Sequence, residues 1–115
     1  MRRGEIRLAD LEPVRGSEAD KLRPVVLVSN DGANTRAAQL GRGVVTVVPM
    51  TSNVSRVFPF QVLVPAADTG LPHDLKAQAE QVRSIDVVRI GARIGQLSPA
   101  LQARLDDALR LHLGL

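Results

Sequence analysis

The sequence predicts a small, mainly β protein that ends in one amphipathic helix. Two apolar runs, residues 25–28 and residues 44–48 with Thr46 as the one polar member, have the length and β-branched composition of buried strands. Glycine, proline, asparagine and aspartate separate these runs from further short apolar segments, which is typical of turns. The segments between the apolar runs do not have the pattern of a crossover helix, so antiparallel pairing is favoured. The expected architecture is an SH3-like barrel of short antiparallel strands.

The N-terminal elements are two strands joined by a long polar loop. Ile6 and Leu8 alternate with polar neighbours, which indicates a half-buried first strand. Residues 10–22 follow as a loop long enough to be functional. The next strand begins at Arg23, and the proline after it biases Arg23 towards extended backbone, so this cation should be held at the mouth of a rigid element. Residues 30–40 are predicted to form a turn that contains one helical turn.

The C-terminal elements are shorter strands followed by the closing helix. Turn residues bound each strand, and Ser84-Ile85-Asp86 should cap a short helix over residues 87–90. Ser98 caps the last helix, proline takes its first position, and leucines at four-residue spacing give it one apolar face that extends to residue 112 or 113. The predicted strands in this half cover residues 44–48, 60–64, 75–82 and 94–97.

Composition narrows the class of protein. The 115 residues fit one domain, 1–115, and the 44% hydrophobic fraction is sufficient for a core. Fifteen Lys and Arg against twelve Asp and Glu give a net charge of +3, and most of the cations are arginine, which favours an anionic partner. Cysteine is absent, which excludes disulfides, thiolate metal sites and Cys nucleophiles. Without a signal-like or membrane-spanning apolar segment, a cytoplasmic protein is expected.

Seven short motifs together resemble the MazF/PemK (Kid) family of toxins. Their order and spacing match that family from residue 3 to the C-terminal helix. The motifs are Arg3-Gly4-Glu5-Ile6, Ala9-Asp10-Leu11, Gly16-Ser17-Glu18, Arg23-Pro24-Val25-Val26, Asn30-Asp31, Thr51-Ser52-Asn53 and Glu80-Gln81-Val82-Arg83-Ser84-Ile85-Asp86. The resemblance implies a homodimeric SH3-like barrel, a cognate acidic antitoxin that blocks the active groove, and no membrane. It also implies an endoribonuclease that cuts single-stranded RNA without a metal or another cofactor, through 2′-hydroxyl attack to a cyclic phosphate.

The same resemblance assigns three catalytic candidates. Arg23 would bind the scissile phosphate and stabilise the charge of the transition state, and Thr51 would hydrogen-bond that phosphate from a strand end. Glu80 matches a carboxylate with acid/base work in some members, but Gln78 stands where those members have an arginine, which weakens this version of the mechanism. Arg7 is a second departure, because the family usually has an aromatic residue there. Three candidates remain for the general base, which are Glu80, Glu18, and a group of the substrate or a water molecule.

Cations and loop polar groups should bind the RNA. Only Phe58 and Phe60 are aromatic, too few for an extensive base-stacking surface, so phosphate contacts should dominate and binding should weaken steeply with salt. His73 and His112 have no neighbours typical of a ribonuclease base and are interpreted as surface or structural residues. The RNA-binding candidates are Ser17, Glu18, Lys21, Ser52, Asn53, Arg56, Gln78 and Arg83.

Two other functional classes use the same fold. A non-catalytic toxin that inhibits gyrase would not need Arg23 or Thr51 and would act through its C-terminal helix. An SH3-like module that binds RNA or an acidic peptide without cleavage is the third hypothesis, and Gln78 is its support. An acidic antitoxin tail fits both the nuclease and the binding module and does not discriminate between them.

Overall fold

The computed structural model describes residues 1–11 and 22–115, and in these residues a seven-stranded antiparallel sheet carries three helices. The strands are β1 (Glu5–Asp10), β2 (Leu22–Leu27), β3 (Val44–Thr51), β4 (Gln61–Val64), β5 (Leu75–Gln78), β6 (Arg83–Asp86) and β7 (Ile90–Gln96). The helices are α1 (Asp31–Leu40), α2 (Ala66–Thr69) and α3 (Pro99–Leu113), and single 3₁₀ turns cover Ala79–Gln81 and Val87–Arg89.

Strand β3 organises the sheet, whose order is β4-β5-β3-β2-β1-β7 with β6 also beside β3. One edge of β3 pairs with β2, and the other edge pairs first with β6 and then, at its end, with β5. All the pairings are antiparallel, which confirms the predicted mainly β fold with a C-terminal helix. Among the described strands no ladder joins β4 to β7, so hydrogen bonds do not close the SH3-like sheet into a complete barrel.

The two apolar runs are continuous because both faces of the sheet are covered. Val26 and Val48 point into a core that Leu105 of α3 closes, and all three are fully buried. Val25 and Val47 point to the opposite face and pack in a second cluster. Successive side chains of a strand point to opposite faces, so a strand segment buried on both sides has apolar residues at adjacent positions, as at Val25, Val26, Val47 and Val48.

Helix α3 begins as predicted and buries a shorter stripe than predicted. The Ser98 hydroxyl accepts a hydrogen bond from Leu101 N at 3.2 Å, and proline follows at the first position. Leu101, Leu105 and Ala108 are buried, whereas Leu113 is 52% exposed. The buried face therefore ends before the last turn of the helix.

Residues 30–40 form more helix than predicted, because this segment contains the ten-residue helix α1 rather than a single turn. The Asn30 side chain caps it by accepting from Ala33 N at 2.8 Å, and Gly41 ends it at a φ of 66°. Only Asn34 and Ala37 of this helix are buried, so it carries no apolar stripe from which its length could be predicted.

The second half of the sheet departs from its predicted pattern after β4 and in β5. The strand expected over 75–82 stops at Gln78 and continues as the 3₁₀ turn Ala79–Gln81. The short helix α2, which was not predicted, lies between β4 and β5. The short helix after Asp86 is confirmed as Val87–Arg89, capped by the Asp86 carboxylate.

Candidate active-site cleft

A cleft of about 340 Å³ lies where β2 begins and β3 ends. Two residues of the Arg-Pro motif and two of the Thr-Ser-Asn motif line it, although 28 positions separate Arg23 from Thr51 in the sequence. The complete lining consists of Leu22, Arg23, Pro24, Met50, Thr51, Ser52 and Leu75. The cleft therefore combines a cation and two hydroxyls on an apolar floor.

The β2–β3 register explains why Arg23 and Thr51 come together. The ladder pairs Val25 with Pro49. If the same register is extended by two residues, Arg23 stands opposite Thr51. Directly opposite residues in an antiparallel pair have their side chains on the same face, so the guanidinium and the hydroxyl face the same volume.

Arg23 is exposed, and the folded structure makes little use of its guanidinium. Its Nη1 donates a long hydrogen bond of 3.5 Å to the carbonyl of the adjacent Leu22. None of the ion pairs between described residues involves it. An exposed guanidinium without an ion-pair partner among the described residues can donate its N–H groups to an incoming phosphate.

Thr51 begins a hydrogen-bonded turn in which its hydroxyl oxygen accepts, so that its hydroxyl proton can be donated to a ligand. Its Oγ1 accepts a hydrogen bond from Asn53 N at 3.2 Å. The Asn53 side chain in turn accepts from the Ser55 hydroxyl at 2.9 Å, so Asn53 serves the turn and fixes the backbone. Thr51 can therefore donate to an anionic oxygen from a fixed position, with Ser52 beside it in the cleft.

Lys76 is a functional candidate that the sequence pattern did not identify. It is the cross-strand partner of Thr51 in β5, and only 8% of it is exposed. Its ammonium donates to the Arg56 carbonyl at 2.6 Å, which ties the loop after β3 to the sheet. In the sequence, Lys76 alternates with Leu75 and Ala77, a pattern that favours a lysine facing solvent. The pattern therefore gave no sign that this ammonium would be buried.

Glu80 does not line the cleft. It lies on the 3₁₀ turn after β5, where its Oε2 accepts from Gln61 Nε2 at 2.9 Å. Its Oε1 is buried and has no hydrogen-bond partner among the described residues. Gln61 also accepts from Phe58 N at 3.1 Å, so the carboxylate connects through Gln61 to the loop that follows β3.

The other predicted RNA-binding residues are distributed around this cleft or fall outside the description. Ser52 lies in the cleft, and Gln78 follows Lys76 by two positions in β5, on the face that carries Thr51. Arg56 in the loop after β3 and Arg83 on β6 are both exposed, and Arg83 reaches the Leu11 carbonyl at 3.4 Å. The remaining candidates lie outside the described residues, and these are Ser17, Glu18 and Lys21.

Arg7, the departure in β1, has a structural role. Its guanidinium contacts the Glu5 carboxylate at 2.9 Å and the Gly91 carbonyl at 3.0 Å. Glu5 is 7% exposed, so this pair compensates a buried carboxylate and links β1 to β7. Arg7 thus links the two strands through polar contacts at a position where the family usually has an aromatic ring.

Metal sites and membrane-spanning helices are both absent from the part of the chain that the structure describes. No group of three or more His, Asp or Glu is arranged there to hold a metal ion. None of the described helices is long and apolar enough to cross a membrane.

Comparison with known proteins places the chain in one family. The model of "PemK-like, MazF-like toxin of type II toxin-antitoxin system" matches residues 2–113. Endoribonuclease MazF9 of Mycobacterium tuberculosis is 61% identical over 115 residues, which cover 100% of this chain and 98% of that protein.

Solved structures share the fold. The M. tuberculosis toxin MazF-mt6 superposes with a TM-score of 0.77 at 25% identity, covering 96% of this chain and 97% of the other. An endoribonuclease from a mycobacterial species, solved in complex with its cognate antitoxin, gives a TM-score of 0.77 at 24% identity and covers 100% of this chain and 96% of that chain.

Proposed function

Because the chain belongs to the PemK-like, MazF-like toxins of type II toxin–antitoxin systems, we propose that it is an endoribonuclease that cuts single-stranded RNA in the Arg23–Thr51 cleft. The relative with 61% identity over the whole chain is named an endoribonuclease, which supports the activity. The observation that carries the choice of site is the meeting of Arg23 and Thr51 in one cleft. Cleavage of mRNA, rRNA or tRNA at a short sequence would stop translation and growth.

The cleft residues suit a metal-independent transfer at phosphorus. In the proposed reaction the 2′-oxygen attacks the adjacent phosphorus, the bond to the 5′-oxygen breaks, and a 2′,3′-cyclic phosphate remains. Arg23 would neutralise the charge that accumulates on the non-bridging oxygens, and Thr51 would donate a second hydrogen bond to one of them. Both groups act from strand ends, so little reorganisation is needed during the reaction.

Proton transfer needs two further groups, a base for the 2′-hydroxyl and an acid for the departing 5′-oxygen. The described lining of the cleft contains no carboxylate or imidazole. We assign Glu80 a positioning role through Gln61, because its carboxylate contacts that amide. Glu18, five positions before Arg23 in the sequence, is the proposed base that takes the proton of the 2′-hydroxyl. Arg23 would donate a hydrogen bond to the departing 5′-oxygen without losing its charge, and that oxygen would take its proton from water.

The proposal extends to partners and location. An acidic antitoxin segment would compete with RNA for the same exposed cation and would inhibit by occlusion. The proposal includes a homodimer located in the cytoplasm, as the family resemblance implies. Lys21, Arg56 and Arg83 would add phosphate contacts. The groups that would meet base edges are Ser17, Ser52, Asn53 and Gln78.

The test is cleavage of long single-stranded RNA in excess chelator by the parent, Arg23→Ala and Thr51→Ala. Arg42→Ala is the matched control, since Arg42 is an exposed arginine beyond the opposite end of β3, an eight-residue strand about 25 Å long. We expect the parent and Arg42→Ala to cut at the same short sequence and the cleft variants to lose orders of magnitude in rate. Intact RNA with the parent would refute the nuclease and favour gyrase inhibition or simple binding.

A further inference from the structure

The only two aromatic residues of the chain stack on each other outside the core. The rings of Phe58 and Phe60 have centroids 5.4 Å apart and planes within 2° of parallel. The Arg56 guanidinium lies over the Phe58 ring, with its central carbon 5.5 Å from the centroid. These three residues, here called the aromatic stack, lie at alternate positions of the loop between β3 and β4.

The aromatic stack is not part of the hydrophobic core. Neither phenylalanine belongs to the two clusters of buried side chains. Phe58 is 40% exposed, and Arg56 is exposed as well. Burial of a phenylalanine is among the larger hydrophobic gains open to a small domain, so the only two rings would ordinarily be expected in its core.

Two buried polar side chains hold the backbone that carries the stack. Lys76 donates to the Arg56 carbonyl at 2.6 Å, and Gln61 accepts from Phe58 N at 3.1 Å. Lys76 and Gln61 are each 8% exposed, and the Glu80 carboxylate accepts a hydrogen bond from the Gln61 side-chain amide. The sheet thus uses an ammonium and an amide to order an exposed loop, which is the usual support of a preformed binding surface.

The same lysine relates the stack to the cleft. Lys76 is the strand partner of Thr51, which lines the cleft, and its side chain holds the Arg56 backbone. Arg56 follows Ser52, which lines the cleft, by four positions in the sequence. The loop that leaves the cleft at Ser52 therefore carries the aromatic stack four to eight residues further on.

We propose that the aromatic stack is a nucleobase platform for the strand whose scissile phosphate lies in the cleft; this rests on the proposed function. Every base has a π-face that stacks on an aromatic ring, and Arg56 adds a cation for the same base or its phosphate. The platform would hold a nucleotide next to the cleaved bond and would contribute affinity with little sequence preference. RNA binding would then depend on stacking as well as on phosphate contacts, contrary to the expectation from aromatic content alone.

The first experiment exploits the absence of tryptophan and tyrosine from the chain. Phe58→Trp introduces one fluorophore into the stack, and Leu40→Trp, at a 51% exposed position at the end of α1, is the control. A short 2′-O-methyl oligoribonucleotide is the probe, since it has no 2′-hydroxyl to attack. We expect its binding to quench the fluorescence of the Phe58→Trp variant strongly and that of the Leu40→Trp variant little. An abasic analogue of equal charge should leave both variants unquenched, and equal quenching of Phe58→Trp by that analogue would overturn the platform.

The second experiment measures affinity for the same probe without an added fluorophore in the protein. Phe58→Leu keeps an apolar side chain and removes the ring, whereas Phe58→Tyr keeps a ring and should retain binding. Loss of one stacked base corresponds to about 10-fold to 100-fold weaker binding. Val57→Ala, a change of the adjacent 40% exposed residue, should stay within about twofold.

The outcomes separate this proposal from the nuclease itself. A parent that cuts RNA, together with Phe58→Leu that binds the probe as well as the parent, would overturn the platform and leave the nuclease standing. A parent that neither binds nor cuts RNA would refute the proposed function first. If Phe58→Leu weakened binding of the purified acidic antitoxin but not of the probe, the stack would be a protein contact and the platform would be wrong.

Discussion

Substitution of two arginines should separate cleavage from folding. Arg23→Ala removes a guanidinium that makes a long 3.5 Å hydrogen bond to an adjacent carbonyl. Arg3→Ala removes one that donates to the Val28 carbonyl and to Asp106, each at 2.8 Å, and so ties the N-terminus to α3. The structure therefore predicts opposite phenotypes for two changes of identical chemistry.

The magnitudes follow from these contacts. At Arg3, two charge-assisted hydrogen bonds are lost, but the paired side chains are 32% and 30% exposed, so water screens them and the net destabilisation should be about 2 kcal/mol. For a domain of 115 residues this corresponds to roughly an 8 °C lower melting temperature. At Arg23 the free energy of unfolding should change by less than about 0.5 kcal/mol, whereas the cleavage rate should fall by about 100-fold to 1,000-fold.

The assay pairs thermal unfolding with initial cleavage rates below the melting range, at one protein concentration for all variants. Arg3→Ala should cut within about threefold of the parent at a temperature where it remains folded. The division of roles between the two arginines would be refuted if Arg23→Ala lowered the melting temperature as much as Arg3→Ala did. It would equally be refuted if Arg3→Ala, while folded, lost as much activity as Arg23→Ala.

Three further predictions concern the cleft, the 3₁₀ turn and the core. Thr51→Val should lower kcat for cleavage by about 10-fold to 100-fold, because in the proposed site the hydroxyl and not the methyl group contacts the phosphate. Thr51→Ser keeps the hydroxyl and should retain most of the parent kcat. Glu80→Gln keeps an acceptor for Gln61 and should cost less than about 10-fold in rate, and a larger loss with unchanged melting would return Glu80 to the catalytic set. Leu105→Ala at a fully buried site should lower the free energy of unfolding by about 2–5 kcal/mol in urea titrations, while Leu111→Ala, at a 57% exposed site, should change it little.

Local sequence determined the elements whose signals are short-range. The apolar runs of β2 and β3 and the Ser98-Pro99 start of α3 were predicted because side-chain period, branching and capping act between near neighbours. The helix α1 was underestimated for the complementary reason. Its capping residues were present at Asn30 and Gly41, but the helix buries only Asn34 and Ala37 and so lacks a row of large apolar side chains that would reveal its length.

The placement of the candidate site required the tertiary structure. The motifs named Arg23 and Thr51 through resemblance, yet only the β2–β3 register brings these side chains to one cleft. Glu80 was named beside them by the same motifs. Its turn directs the carboxylate to Gln61 instead, because a 3₁₀ turn replaces the predicted strand at that point and the strand alternation ends.

By itself, the sequence predicted the fold class, because apolar runs and turn residues reflect local backbone preferences. The resemblance of its motifs to one family named the candidate groups. The tertiary structure decided which of these groups face the cleft and which form hydrogen bonds within the protein. Lys76 became a buried donor to the Arg56 carbonyl, and two phenylalanines too few to suggest a platform became a parallel stack on the loop between β3 and β4. Burial and ring geometry depend on residues distant in sequence, and a one-dimensional pattern contains no distance between them.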